Sequence, residues 1–157
     1  MEATMLTYRR KSPRIIVIAA TLLFLLFTPL YAQGPEGKDF GFGIIVGDPF
    51  GATAKYWTTS NQAVVGAIGA SHFGDPRLNI DYIWHFDAFN SDLVKLYAGP
   101  GMPIGFDNRV GARVIMGGNL IPRRTPLEIF LEMGPLFGFT PHSSTSFDVA
   151  AGLRFYP

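Results

Sequence analysis

Cysteine is absent from the 157 residues, which excludes a disulfide framework, a thiolate metal site and a cysteine nucleophile. Charge is scarce: Asp, Glu, Lys and Arg make up 16% of the chain, against roughly 25% in soluble domains. A disordered charged tail and a nucleic-acid-binding surface are therefore not expected. No long stretch keeps a helical period, and three histidines, His72, His85 and His142, set the limit on imidazole chemistry. What the chain does have is 18 glycines and 14 phenylalanines at a formal charge of +1. The length suits one domain.

The first residues carry Arg9, Arg10, Lys11 and Arg14, followed by an apolar run over 15–30 that closes on Leu30-Tyr31-Ala32. A basic start, an apolar run and a small residue at the end read as a Sec-type signal peptide over 1–32, cleaved after Ala32, with 33–157 as the mature domain. Pro29 shortens the run below the roughly 20 apolar residues of a retained spanning helix, the alternative reading. Arg9-Arg10 lacks the hydrophobic follow-up of a twin-arginine signal. Cleavage removes four of 13 basic and one of 12 acidic residues and leaves a net charge of −2, so no anionic partner is implied.

From residue 40 onward, apolar and polar residues alternate with period two, and the runs are broken by turn residues. Strands are expected over 40–47, 52–59, 63–71, 78–86, 93–101, 109–118, 127–137 and 147–156. The breaks include Asp48-Pro49-Phe50-Gly51, Ser60-Asn61, Gly74-Asp75-Pro76, Asn90-Ser91-Asp92 and Asp107-Asn108, which are residues that bend a chain. Eight strands with short links predict an all-β, eight-stranded, antiparallel up-and-down barrel. The stripes are distinct: Leu78, Ile80, Tyr82, Trp84 and Phe86 alternate with Asn79, Asp81, Ile83, His85 and Asp87.

In a soluble lipocalin-like carrier the charged stripe faces water and the apolar one lines a cavity; in a transmembrane barrel the order inverts. The second stripe is glycine-rich and sparsely charged, the first is bulky with aromatics near strand ends, and the leader supplies a route, so inversion is the expectation. Ile80, Tyr82, Trp84, Phe86, Val114, Ile129, Leu131, Leu153 and Phe155 are then lipid-facing. Lys55, Lys95, Arg113 and Arg154 neutralise Asp81, Asp87, Glu128, Glu132 and Asp148 inside the lumen, with His85 among them. Hairpin registers pair Asp87 with Lys95, Arg113 with Glu132 and Glu128 with Arg154.

Gly41-Phe42-Gly43-Ile44-Ile45-Val46-Gly47-Asp48-Pro49-Phe50-Gly51-Ala52-Thr53-Ala54-Lys55-Tyr56-Trp57, Asp81-Tyr82-Ile83-Trp84-His85-Phe86 and Pro126-Leu127-Glu128-Ile129-Phe130-Leu131-Glu132 resemble a family of small, uncharacterised bacterial outer-membrane β-barrel proteins. More broadly, the chain is similar to eight-stranded barrels of the OmpA and OmpX type. The resemblance implies a fold and a location, the outer membrane of a Gram-negative-type bacterium, and no chemistry. Its implied partners are outer-membrane lipid and the barrel-assembly machinery. Ala151-Gly152-Leu153-Arg154-Phe155-Tyr156-Pro157 is similar to the C-terminal assembly signal of such barrels, with Pro157 where an aromatic residue normally stands.

No catalytic, cofactor-binding or metal-ligating residue is assigned. His142-Ser143-Ser144, with Asp148 as orienting acid, resembles the His-x-Ser pair of lipid A deacylase barrels, but a Pro/Ser-rich turn accounts for it. His85 between Asp81 and Asp87 reads as a neutral member of the ion-pair network, because residues two and four apart on a strand are spread over about 13 Å. Gly41-Phe42-Gly43 and Gly117-Gly118 are not phosphate loops, since no helix follows. Eight strands leave no room for a wide aqueous channel. The expected role is structural, in envelope integrity; the alternatives are a periplasmic carrier of an apolar ligand and a lipid-modifying barrel enzyme.

Overall fold

The computed structural model describes residues 34–87, 93–140 and 143–157. The chain enters through a 3₁₀ turn at Pro35–Gly37 and then forms β1 (Phe40–Gly47), β2 (Phe50–Trp57), β3 (Gln62–Ala70), β4 (Arg77–Phe86), β5 (Val94–Gly105), β6 (Arg109–Leu120), β7 (Leu127–Thr140) and β8 (Ser144–Phe155). Each strand pairs antiparallel with the next, and β8 closes on β1, giving a closed eight-stranded barrel. Period-two patterning with short links dictates this order, because antiparallel neighbours need only a tight turn between them.

Several strands outrun their sequence-based bounds. The link between β1 and β2 shrinks to Asp48-Pro49, so that Phe50 and Gly51 already pair with Ala70 and Gly69. β5 continues to Gly105 through Pro100 and Pro103, and β7 continues to Thr140 through Pro135. Proline lacks a ladder donor, yet these prolines do not end the strands. Register interrupted beside Pro100 resumes on both sides, at Asp81 opposite Gly101 and at Trp84 opposite Ala98. The neighbours on either side hold the strand in line. One irregularity, between Val110 and Gly111, shifts the β6–β7 register.

Strand stagger can be followed along one inward row: Gly41, Lys55, Val65, Asp81, Gly101, Arg113, Leu136 and Ser146 stand opposite one another in turn. Since Ala150 faces Gly47, Ser146 falls opposite a point about ten residues beyond Gly41, and that shear in eight strands tilts them by roughly 40°. Along every strand, buried residues alternate with outward ones. The outer surface carries exposed Ile44, Ile80, Val114, Ile129, Leu131 and Leu153, while Lys55, Asp81, Arg113, Glu128 and Arg154 are buried inside.

Candidate functional site

The interior of the barrel is where the charges gather. Among the described residues, four cations (Lys55, Arg77, Arg113 and Arg154) and four anions (Asp81, Glu128, Glu132 and Asp148) are buried, so formal charge cancels where an unpaired ion would be most costly. They form two linked groups. Toward the mouth that carries the chain ends, Glu128 Oε1 accepts from Lys55 Nζ and from Arg154, both at 3.0 Å. Its Oε2 accepts from the Tyr156 hydroxyl, which in turn accepts from Trp57 Nε1 at 3.2 Å. Lys55 also meets His85 Nε2 at 3.0 Å and lies 4.1 Å from the Trp57 ring centre. Arg154 donates to Thr53 Oγ1 and stacks 3.7 Å over Phe130.

Toward the opposite mouth, Arg113 donates to Asp81 at 2.7 and 2.5 Å and to Asp148 at 3.2 Å. Arg77 forks onto the same Asp148 at 2.8 and 3.4 Å. Glu132 joins the two groups: it lies 3.7 Å from Arg113 and accepts from the Tyr97 hydroxyl at 3.2 Å.

Inward glycines make these contacts possible. Gly101 stands between Asp81 and Arg113 in register, and a methyl group there would overlap Asp81 Oδ1. Gly117 stands between Tyr97 and Glu132, with the tyrosine ring lying over it. Tyr156 covers Gly41, and Phe130 covers Gly152. In each case a missing side chain lets a longer one cross a strand.

Both mouths are stoppered. Phe73, from the β3–β4 link, turns inward to 5% exposure and covers Gly111 and Gly138. Trp57, Tyr97 and Tyr156 pack together at the other end. The space among Arg113, Glu132 and Asp148 is too narrow to admit a water molecule. Beside Phe73, Asp48 contacts His72 at 3.1 Å and Arg77 at 3.5 Å. Burial there works against ionisation, but the Ser71 hydroxyl, the Arg77 guanidinium and His72 outweigh it and hold the Asp48 carboxyl below its usual value.

Lys55, Asp81, His85, Arg113, Glu128, Glu132, Asp148 and Arg154 therefore lie inside, and Glu128 faces Arg154 directly. One of the expected lumen residues does not. Asp87 falls beyond the end of β4, its side chain 72% exposed; inward parity places a side chain in the lumen only within the paired strand. Lys95, within β5 opposite buried Asn119, lies at the rim and meets Asp87 at 3.9 Å, the partner that the hairpin register predicts. The expected Arg113 and Glu132 facing also differs: Arg113 stands opposite Leu136 and Glu132 opposite Gly117. The closest carboxylate to Arg113 is instead Asp81, two strands away across Gly101. Ile83, Ile115 and Phe130 share the inward stripe and are buried with it. Sequence reading missed Arg77, Asp48, Tyr97, Tyr156, Trp57 and Thr53; Arg77 and Tyr97 carried the signal of inward parity. His142 lies outside the described residues, as do residues 1–32; Ser144 opens β8 at the surface.

Fold and interior define a closed antiparallel barrel, polar inside and apolar outside. Protein-family models, curated proteins and solved structures yield no match to this chain.

Proposed function

We propose that the chain is a small outer-membrane β-barrel protein, exported through its leader and inserted with its strands across the bilayer, where it serves envelope integrity with a side-chain plug for a lumen. The observation that carries this reading is the outer surface. On β7, Ile129, Leu131, Met133, Phe137 and Phe139 all point outward and are exposed. The run spans roughly 33 Å along the strand, or about 25 Å across a membrane at the tilt above, the height of the apolar band of such barrels. Exposed aromatics collect at its two borders: Phe40, Tyr56, Trp84, Phe86 and Phe155 toward the chain-end mouth, Phe50, Phe106, Phe139 and Phe147 toward the other. That distribution matches the girdles that sit at headgroup level.

A carrier of an apolar ligand would need an apolar cavity, and here the interior is filled by ion pairs. An acyl hydrolase using Ser144 would need Asp148 free to orient an imidazole, whereas Asp148 is bound by Arg77 and Arg113. The full chain, expressed with its leader in a Gram-negative host, should stay with the outer-membrane fraction after carbonate washing and migrate differently on gels before and after boiling. Release by carbonate, or an unchanged mobility, rejects the reading.

A further inference from the structure

The outer wall is not the same height all round. At a strand tilt of roughly 40°, each residue adds about 2.5 Å of height, and each step to the next strand along the inward row adds about 3 Å. Applied to the registers, these increments bring the chain-end ends of the strands level to within about 4 Å. The other ends climb. β1 and β2 have 8 residues each and β7 has 14, so that rim rises by about 13 Å from Gly47 and Phe50 to Thr140. It drops again where β8 meets β1.

Two features mark the top of the low side. The β1–β8 ladder stops at Gly47 opposite Ala150, with Val149 O still accepting from Asp48 N at 3.0 Å. By period two, the N–H and C=O groups of Phe147 and Thr145 point the same way as those of Val149, above the end of β1, where no described strand pairs with them. The β3–β4 link, for its part, lifts Asp75 and His72, whose side chain is 95% exposed, to about the height at which β7 still presents Phe137.

We propose that the barrel is a hydrophobic wedge that thins the bilayer beside β1 and β2, drawing down the leaflet at the mouth opposite the chain ends. The proposal rests on the membrane reading above. A flat hydrocarbon layer about 25 Å thick that covers β7 would also cover Asp75, His72 and the bare backbone edge of Thr145 and Phe147. Unpaired backbone groups and a carboxylate in hydrocarbon cost more than thinning the bilayer over the same distance, so the lipid gives way. Tilting the whole barrel does not escape the mismatch, because raising the low side would lift exposed Asp39, beside the lower end of β1, into hydrocarbon from below.

The chain has no cysteine, so single spin labels can report depth in dioleoyl phosphatidylcholine vesicles. Val46→Cys and Met133→Cys place outward labels on the low and high sides at heights within about 2 Å of each other. Phe42→Cys and Ile129→Cys do the same near the chain-end border. All four variants should keep the heat-dependent gel shift of a folded barrel. A water-soluble nickel complex should collide with the label at 46 several-fold more often than with that at 133, while 42 and 129 report equal depth. Dilauroyl lipid, already thin, should narrow the first difference. Equal nickel access at 46 and 133, both low, overturns the wedge and leaves the membrane reading intact. A label at 42 deeper than that at 129 overturns it in favour of tilt. Dipolar broadening confined to 46 overturns it in favour of a second copy packed on the low side. Free nickel access at both 46 and 133 removes the wedge and the membrane reading together.

Discussion

A side chain in a narrow barrel can reach a partner only if something between them is missing. Gly101 is that gap for Asp81 and Arg113. Gly101→Ala should force the pair apart and lower the urea midpoint of the detergent-folded protein by an amount equivalent to about 1–3 kcal/mol, the usual cost of overpacking. Gly66 supplies the control, because its nearest neighbour is Asn79 O at 4.0 Å; Gly66→Ala should be neutral or stabilise by under about 1 kcal/mol. Equal losses would mean that glycine serves strand conformation rather than contact. Charge counting gives a second expectation. Glu128 lies between Lys55 and Arg154, so Glu128→Gln strands two buried cations, whereas Lys55→Met leaves a neutral Glu128 and Arg154 pair. Glu128→Gln should cost about 3–5 kcal/mol and Lys55→Met distinctly less. The reverse order would show that Glu128 is not the hub.

At the scale of the strand, alternation made most of the architecture legible, because one period decides both strand identity and facing. It read β1 and β4 nearly to their ends, yet it stopped β5 at Gly101 and began β8 at Phe147, where the structure carries them to Gly105 and back to Ser144. In a closed sheet both neighbours support a strand that has lost single bonds. The pairing of Glu128 with Arg154 was legible from the short β7–β8 link and the direct register. Asp81 with Arg113 was not, because it skips β5 and depends on the absence of a side chain at Gly101. Phe73 escaped too, since a link residue has no stripe to assign it. The outward stripe of β7 yields a graded expectation under the membrane reading: Met133→Arg, mid-strand, should cost about 2–4 kcal/mol in unfolding from lipid vesicles, and Phe139→Arg, at the border, about 0–1 kcal/mol. Small and equal costs at both depths would place water outside the barrel.

For the molecule as a whole, neutrality and closure act together. Among the described residues four buried cations balance four buried anions, and rings close both ends, so the ion pairs operate out of contact with mobile salt and are little screened. Wild-type stability should then change little between 0.05 and 0.5 M sodium chloride, and the protein in a planar bilayer should pass no steady current. Phe73→Ala removes the stopper nearest Arg113, Asp81 and Asp148. It should cost about 3–5 kcal/mol for the lost ring, and it should also make the urea midpoint fall as salt rises, because that group of ions now meets water. Current should remain absent, since Trp57, Tyr97 and Tyr156 still fill the other mouth and the Glu128 group still bars the bore. A salt-dependent wild type would mean that the interior is hydrated from the start. A current through Phe73→Ala would locate the whole barrier at that one ring rather than along the column of ion pairs.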